Sequence, residues 1–239
     1  MSGKSGQKLS TIAFDADDTL WQNESFFRLT QSRFKELLRD YADSDHLEDR
    51  LLAAERRNLG QYGFGVKGFV LSMIETAIEI TDERVPASVI RELIEAGQDM
   101  LSHPIHLLDG VRETLETLSP DYRLLLITKG DLLDQERKLA QSGLGDFFDG
   151  AEIVSDKTAA TYREIFNRYA CVPKETLMVG NSMKSDVLPV IKAGAWGVYV
   201  PYGKPWALEH AEPPTDSLRY SEIATLADLP GLIKTIQAI

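Results

Sequence analysis

Three carboxylates in four positions, Asp15, Asp17 and Asp18 in Phe14-Asp15-Ala16-Asp17-Asp18-Thr19-Leu20, are the first residues of this chain able to do chemistry. They follow a short apolar run, Thr11-Ile12-Ala13-Phe14. If that run is a buried strand, side chains alternate along its tip and Asp15 and Asp17 project to the same side. Two acids in one small space repel unless a divalent cation neutralises them or one holds a proton, and both conditions suit phosphoryl chemistry. A solvated acidic turn accounts for the same residues, because Asp is common in turns. Further polar groups follow later apolar runs: Thr128 and Lys129 after Leu124-Leu125-Leu126-Ile127, and Lys157 soon after Ile153-Val154. Asn181 and Asp186 lie in Gly180-Asn181-Ser182-Met183-Lys184-Ser185-Asp186, after Leu177-Met178-Val179. Thr128 is placed to donate to a bound anion, and Asn181 and Asp186 to bring oxygen ligands to a hard cation.

These groups need a scaffold that gathers strand ends. Apolar runs at 11–14, 123–128, 152–154, 176–179 and 196–200, most of them separated by segments of helical spacing, predict a parallel sheet with helices on both faces. The ligand crevice of such an open sheet lies at the carboxyl ends of its strands. One crossover helix does not need the whole length between the first and second runs, so the intervening span is expected to hold a domain of its own. That insert, 21–104, shows helical spacing almost throughout. Phe26, Phe27, Phe34, Leu37 and Leu38 fall on one stripe and Leu47, Leu51 and Leu52 on another. Two more helices are expected over 69–80 and, after Pro86, over 87–101.

Between the second and third of these helices, Arg56 to Gly68 carries four glycines, two aromatics and flanking cations. The composition predicts a loop, either one that approaches a ligand closely through Arg56 and Tyr62 or a turn between helices. His103 and His106 match no strong metal-ligand spacing and read as surface or hinge histidines. Trp21, just past the acids, either lines the entrance to the site or packs at the hinge. A helix over 111–118 and a covering helix over 228–239 complete the pattern.

Bulk properties narrow the field. The 239 residues are 43% hydrophobic and 26% charged, ordinary for a soluble globular chain, and the net charge of −11 argues against a nucleic-acid polymer as partner. The single cysteine, Cys171, permits no internal disulfide and fits a reducing, cytoplasmic setting. Met1 to Lys8 lacks the apolar core of a signal peptide, and no run approaches a membrane span.

Four polar signals in order, Asp15-Ala16-Asp17-Asp18-Thr19, Thr128, Lys157 and the Gly180 to Asp186 segment, resemble the haloacid dehalogenase superfamily, in its phosphatase branch with a helical cap after the first strand (phosphoglycolate phosphatase-like). The resemblance covers nearly the whole chain. It implies an α/β fold, a doubly wound, Rossmann-like parallel-sheet core (1–20 and 105–239) with a small all-helical cap domain (21–104). It also implies that Asp15 is a nucleophile forming an aspartyl-phosphate, and that Asp17 is general acid and then base. A Mg2+ ion would be held by Asp15, the Asp17 carbonyl, Asn181 and Asp186, while Thr128, Lys129 and Lys157 meet the phosphate. Lys157 is also expected to keep Asp15 ionised. The implied partner is a small phosphorylated metabolite, the assembly a monomer or homodimer.

One position departs from the pattern: Gly180-Asn181-Ser182 stands where phosphatases of this group carry Gly-Asp-Ser, so a charged metal ligand is neutral here. Rival readings are a haloacid dehalogenase, which the resemblance implies would lack Asp17, a phosphomutase returning the phosphoryl group to a sugar, and a binding or regulatory protein that has kept the fold.

Overall fold

The computed structural model describes residues 8–203 and 206–238. The segment read above for a leader therefore lies, but for Lys8, outside the described residues. The chain divides into two compact units: one takes in the chain up to Gln22, Ile105–Thr128 and Arg137 onward, the other Asn23–Pro104 and Lys129–Glu136.

The second unit is helical, with α1 Glu24–Leu38, α2 Ser44–Tyr62, α3 Val66–Ile80 and α4 Ala87–Ser102. Its core gathers the expected stripes, Phe34, Leu38, Leu47 and Leu51, against Phe69, Met73, Leu93 and Met100. Asp43 caps α2, its side chain accepting from the His46 amide at 2.9 Å. The loop expected over 56–68 is largely absent. Helix α2 runs through Arg56 to Tyr62, α3 starts at Val66, and only Gly63 to Gly65 connect them. Packing overrides composition here: Asn58 is buried and donates to Ser72 and Glu75, while Arg57 pairs with Glu75 and Glu79 across the α2–α3 contact. The three-residue connection uses its glycines. Gly63 and Gly65 have φ of +72° and +122°, and a Cβ on Gly65 would stand 2.7 Å from the Asp131 carboxylate.

Among the described residues the first unit holds six strands, β1 Thr11–Phe14, β2 Arg123–Lys129 (whose last residue groups with the helical unit), β3 Gly150–Val154, β4 Thr176–Gly180, β5 Trp196–Tyr199 and β6 Tyr220–Glu222, ordered β3-β2-β1-β4-β5-β6. It is a parallel sheet: β1 pairs in parallel with β2 and β4, and the ladder continues from β4 to β5 to β6. Helices α5 Val111–Leu118, α6 Leu132–Ser142, α7 Ala159–Arg168, α8 Leu188–Lys192 and α9 Leu229–Gln237 follow the strands in chain order. The central strands are apolar throughout because both faces are covered. Ile12, Phe14, Leu124, Leu126, Leu177 and Val179 join the cluster that α5 and α9 complete, while Ala13, Leu125, Ile127 and Met178 join the one completed by α7 and α8. Strand order reverses beside β1, so the crevice at the switch point opens at its carboxyl end. Among the described residues no helix is long and apolar enough to cross a membrane.

Candidate active site

Beyond Phe14 the chain stays in the sheet for one more residue, the Asp15 amide donating to the Val179 carbonyl at 2.9 Å. It then turns sharply. The Ala16 carbonyl accepts from Thr19 at 3.2 Å and Leu20 at 2.8 Å, and Asp18 takes a left-handed conformation, φ +59°, tolerated by a short polar side chain. Asp15 is thereby fixed in the crevice, only 6% exposed.

Its two carboxylate oxygens face different partners. Oδ1 accepts from the Lys157 ammonium, and Oδ2 accepts from the Thr19 hydroxyl at 3.1 Å. Lys157 is set by its own segment: the next residue, Thr158, caps α7 with a reciprocal bond to Thr161. The same ammonium donates to Asp186 Oδ1 at 2.7 Å, so one buried cation serves two buried acids. Asp186 Oδ2 in turn accepts from the Ser182 amide at 2.8 Å. Gly180 makes this possible, since a Cβ there would stand 2.2 Å from Asp186 Oδ2.

The Asn181 amide is assigned with its nitrogen toward Asp15 and Asp17, because the opposite orientation sets oxygen against oxygen. That nitrogen donates at 3.2 Å both to Asp15 Oδ2 and to the Asp17 backbone carbonyl. A carboxylate oxygen and a carbonyl oxygen therefore face one common point. These are hard oxygen donors, and rotating the amide by half a turn adds a third, so the residues suit a small divalent cation. Among the described residues, no group of three or more His, Cys, Asp or Glu side chains is arranged as a metal site.

Burial pushes the Asp15 carboxyl up, to about 7, against the opposing Lys157 ammonium, with the Asp186 charge adding to the rise. The lysine opposes protonation as expected, but desolvation outweighs it. Lys157 itself is held firmly protonated: burial works against its charge, and its two carboxylate neighbours more than offset that.

Asp17 points elsewhere. Its Oδ1 accepts from the Trp21 indole N–H at 2.7 Å, and the Lys138 ammonium reaches Oδ1 at 3.0 Å and Oδ2 at 3.2 Å. Trp21 is fully buried, so of its two expected roles the structure keeps packing and removes the entrance. Thr128 is buried near the end of β2, two residues past the Phe14–Leu126 pair. Lys129 belongs to the helical unit, where its ammonium stands 3.7 Å from the centre of the Phe64 ring. Arg56 and Tyr62 are exposed on α2, the Tyr62 hydroxyl donating to Glu75 at 3.1 Å.

Three participants escaped sequence reasoning. Lys138 sits in α6 among charged residues and reads as a solvated side chain, yet it is 6% exposed. Thr19, part of the first motif but given no role above, bonds the nucleophile candidate directly. Glu209 accepts from the hydroxyls of both Ser182 and Ser185, bracing the segment that carries Asp186. No motif flags it.

Comparison with known proteins meets this geometry. Residues 9–194 match the family model of a haloacid dehalogenase-like hydrolase. A haloacid dehalogenase-like family hydrolase from Xanthomonas campestris is 39% identical, the alignment covering 100% of this chain and 96% of that one, with a TM-score of 0.88. A glyceraldehyde 3-phosphate phosphatase from Methanothermobacter thermautotrophicus is 25% identical over 202 residues, 80% of this chain and 85% of its own. The magnesium-bound HAD-hydrolase YfnB from Bacillus subtilis shares the fold at 19% identity and a TM-score of 0.64, over 95% of this chain and 99% of that one. This chain belongs to the haloacid dehalogenase-like hydrolase family.

Proposed function

We propose that the protein is a Mg2+-assisted phosphoric monoester hydrolase that acts on a small phosphorylated metabolite through an aspartyl-phosphate on Asp15. The observation that carries this reading is the Asp15 carboxylate itself: buried at the end of the central strand, with one oxygen on Lys157 and the other on Thr19 and Asn181. A carboxylate so held presents an oxygen in a fixed direction, which positions it for in-line attack on phosphorus. The name of the Methanothermobacter relative supports a three-carbon sugar phosphate as the substrate class.

In this reading Asp15 attacks phosphorus and the bond to the ester oxygen breaks. Asp17 gives its proton to the departing oxygen. Asp17 then takes a proton from the water that attacks the aspartyl-phosphate, which releases phosphate and restores both acids. Lys157 and Thr128 stabilise charge on the equatorial oxygens. Asp15, the Asp17 carbonyl and Asn181 would hold Mg2+, with Asp186 beside them. When bound, the ion supplies charge that offsets repulsion between a phosphate dianion and the acids. In the same reading Lys129, Arg56 and Tyr62 select the substrate, and the functional division is a core domain at 1–20 with 105–239 and a cap domain at 21–104. A single buried cysteine supports a cytoplasmic location.

The test is phosphate release from a panel of phosphorylated metabolites with Mg2+, alongside halide release from a chlorinated acid. Borohydride reduction during turnover traps an acyl phosphate, and mass spectrometry places the reduced residue. Trapping at Asp15, absent in Asp15→Asn, is the expected outcome. Halide release without phosphate release, or turnover that persists in Asp15→Asn, would refute the proposal.

A further inference from the structure

Lys138 has no part in the reaction as set out so far, yet among the described lysines only Lys157 is more deeply buried. A lysine is rarely buried unless paired, and this one sits in α6 at 6% exposure with its ammonium across both oxygens of Asp17. The two residues are 121 apart in the chain. An apolar residue at 138 would serve packing at lower desolvation cost. The Trp21 indole closes the arrangement, donating to Asp17 Oδ1 at 2.7 Å from a fully buried ring. Trp21 is itself anchored: its carbonyl accepts from the Asp18 amide at 2.7 Å, so the acidic turn and its clamp are one piece.

Resting on the phosphatase reading, we propose that Lys138, with Trp21, is the positioning residue for Asp17, fixing the acid/base carboxylate in the direction from which it meets the ester oxygen. In the first step the Asp15 oxygen bonds to phosphorus, the bond from phosphorus to the ester oxygen breaks, and the proton on Asp17 passes to that oxygen. In the second, water bonds to phosphorus, its proton passes to Asp17, and the bond from phosphorus to Asp15 breaks. A carboxylate on a short side chain has several rotamers, and proton transfer needs an approach of about 3 Å. Two donors from different elements remove that freedom.

The experiment compares kcat/KM for two esters, 4-nitrophenyl phosphate and glycerol 3-phosphate, in wild type, Lys138→Met, Lys138→Arg and Trp21→Phe. The nitrophenolate ion departs with little help from a proton, whereas an alkoxide requires one. Positioning therefore predicts a split. Lys138→Met loses about 100-fold on the alkyl ester, the cost of a misplaced catalytic group, and less than tenfold on the aryl ester. Lys138→Arg restores part of the alkyl rate, because a guanidinium also spans a carboxylate. Trp21→Phe shifts the ratio in the same direction.

Equal losses on both esters in Lys138→Met would overturn the clamp, since Lys138 then supplies only charge or stability. So would an unchanged ratio in Trp21→Phe, the variant that decides the matter if Lys138→Met does not fold. Wild-type protein that cleaves neither ester nor any phosphate of the metabolite panel overturns the phosphatase reading and the clamp together; where the panel yields another alkyl ester, that ester takes the place of glycerol 3-phosphate. Wild type that cleaves both, followed by equal losses, overturns the clamp alone.

Discussion

Replacing Lys157 by methionine removes one ammonium and leaves two buried acids, Asp15 at 6% exposure and Asp186 at 1%, without the cation they share. Methionine keeps the length of the side chain, so the perturbation is one of charge more than of volume. Breaking a buried ion pair by removing one partner costs about 3–5 kcal/mol, because an uncompensated charge stays behind. With a urea slope of about 2 kcal/mol/M, the midpoint of the sheet unit falls by about 1.5–2.5 M. Tryptophan fluorescence isolates that unit, since Trp21, Trp196 and Trp206 all lie in it.

The loss also has a sign in pH. Asp15 in the wild-type fold already stands at about 7, above its ordinary value of 3.8. A carboxyl raised in the folded state favours folding when protonated, and that contribution is lost as pH rises from 3.8 through the folded value. Lys157 is the largest of the influences that hold Asp15 down, so its removal lifts the folded value further and extends the loss to higher pH. The gap between Lys157→Met and wild type, measured in chelator, is therefore wider at pH 8 than at pH 5. Adding Asp186→Asn removes one of the stranded charges and recovers part of the stability. A loss below about 1 kcal/mol, the range of an exposed pair, or a loss independent of pH, would refute this account of the site.

Other substitutions probe single contacts. Gly180→Ala drives a methyl group into Asp186 and is expected to cost about 1–3 kcal/mol by overpacking, with phosphatase turnover falling as well; unchanged urea midpoints would contradict the contact. Gly97→Ala sets helix propensity, worth up to about 1 kcal/mol in favour of alanine, against a Cβ placed 2.4 Å from Val70 Cγ2. Valine is stiff at χ1, so the clash wins and helical circular dichroism melts at lower temperature. Asn181→Asp is expected to raise Mg2+ affinity in calorimetric titration, by adding charge where two oxygens already converge. Arg56→Ala and Tyr62→Ala are expected to change the order of preference across the substrate panel; unaltered preference would confine both residues to the surface of α2.

Strands β1, β2, β4 and β5 were legible because each is an apolar run buried in the sheet, and the partly buried edge strand β3 was legible only from its Ile153-Val154 end; the acids and Lys157 were legible because they stand at or just past the ends of such runs. The short edge strand β6, Tyr220-Ser221-Glu222, offers no apolar run and was missed. The stretch from Arg56 to Tyr62 was misread for the opposite reason. Its glycines argue locally for a loop, but Gly60 lies on an open face of α2, where a side chain would meet nothing within 4 Å, and the buried neighbours Glu55 and Asn58 hold the helix together. Lys138 was illegible because a lysine among charged residues on an amphipathic helix looks the same whether it faces water or an acid 121 positions away. Asn181 was legible as a departure from a pattern, but not the direction in which its amide points.

That amide has a consequence for how the protein is made. An aspartate at 181 would add a third charge beside Asp15 and Asp186, and the nascent site would wait on a counterion before its loops could settle. With asparagine, Asp15 and the Asp17 carbonyl find their donor within the polypeptide, so the fold can be completed in the absence of metal. If the site takes the Mg2+ proposed above, loading is an exchange: an arriving cation would first part the amide from both oxygens, and its departure would let them rejoin.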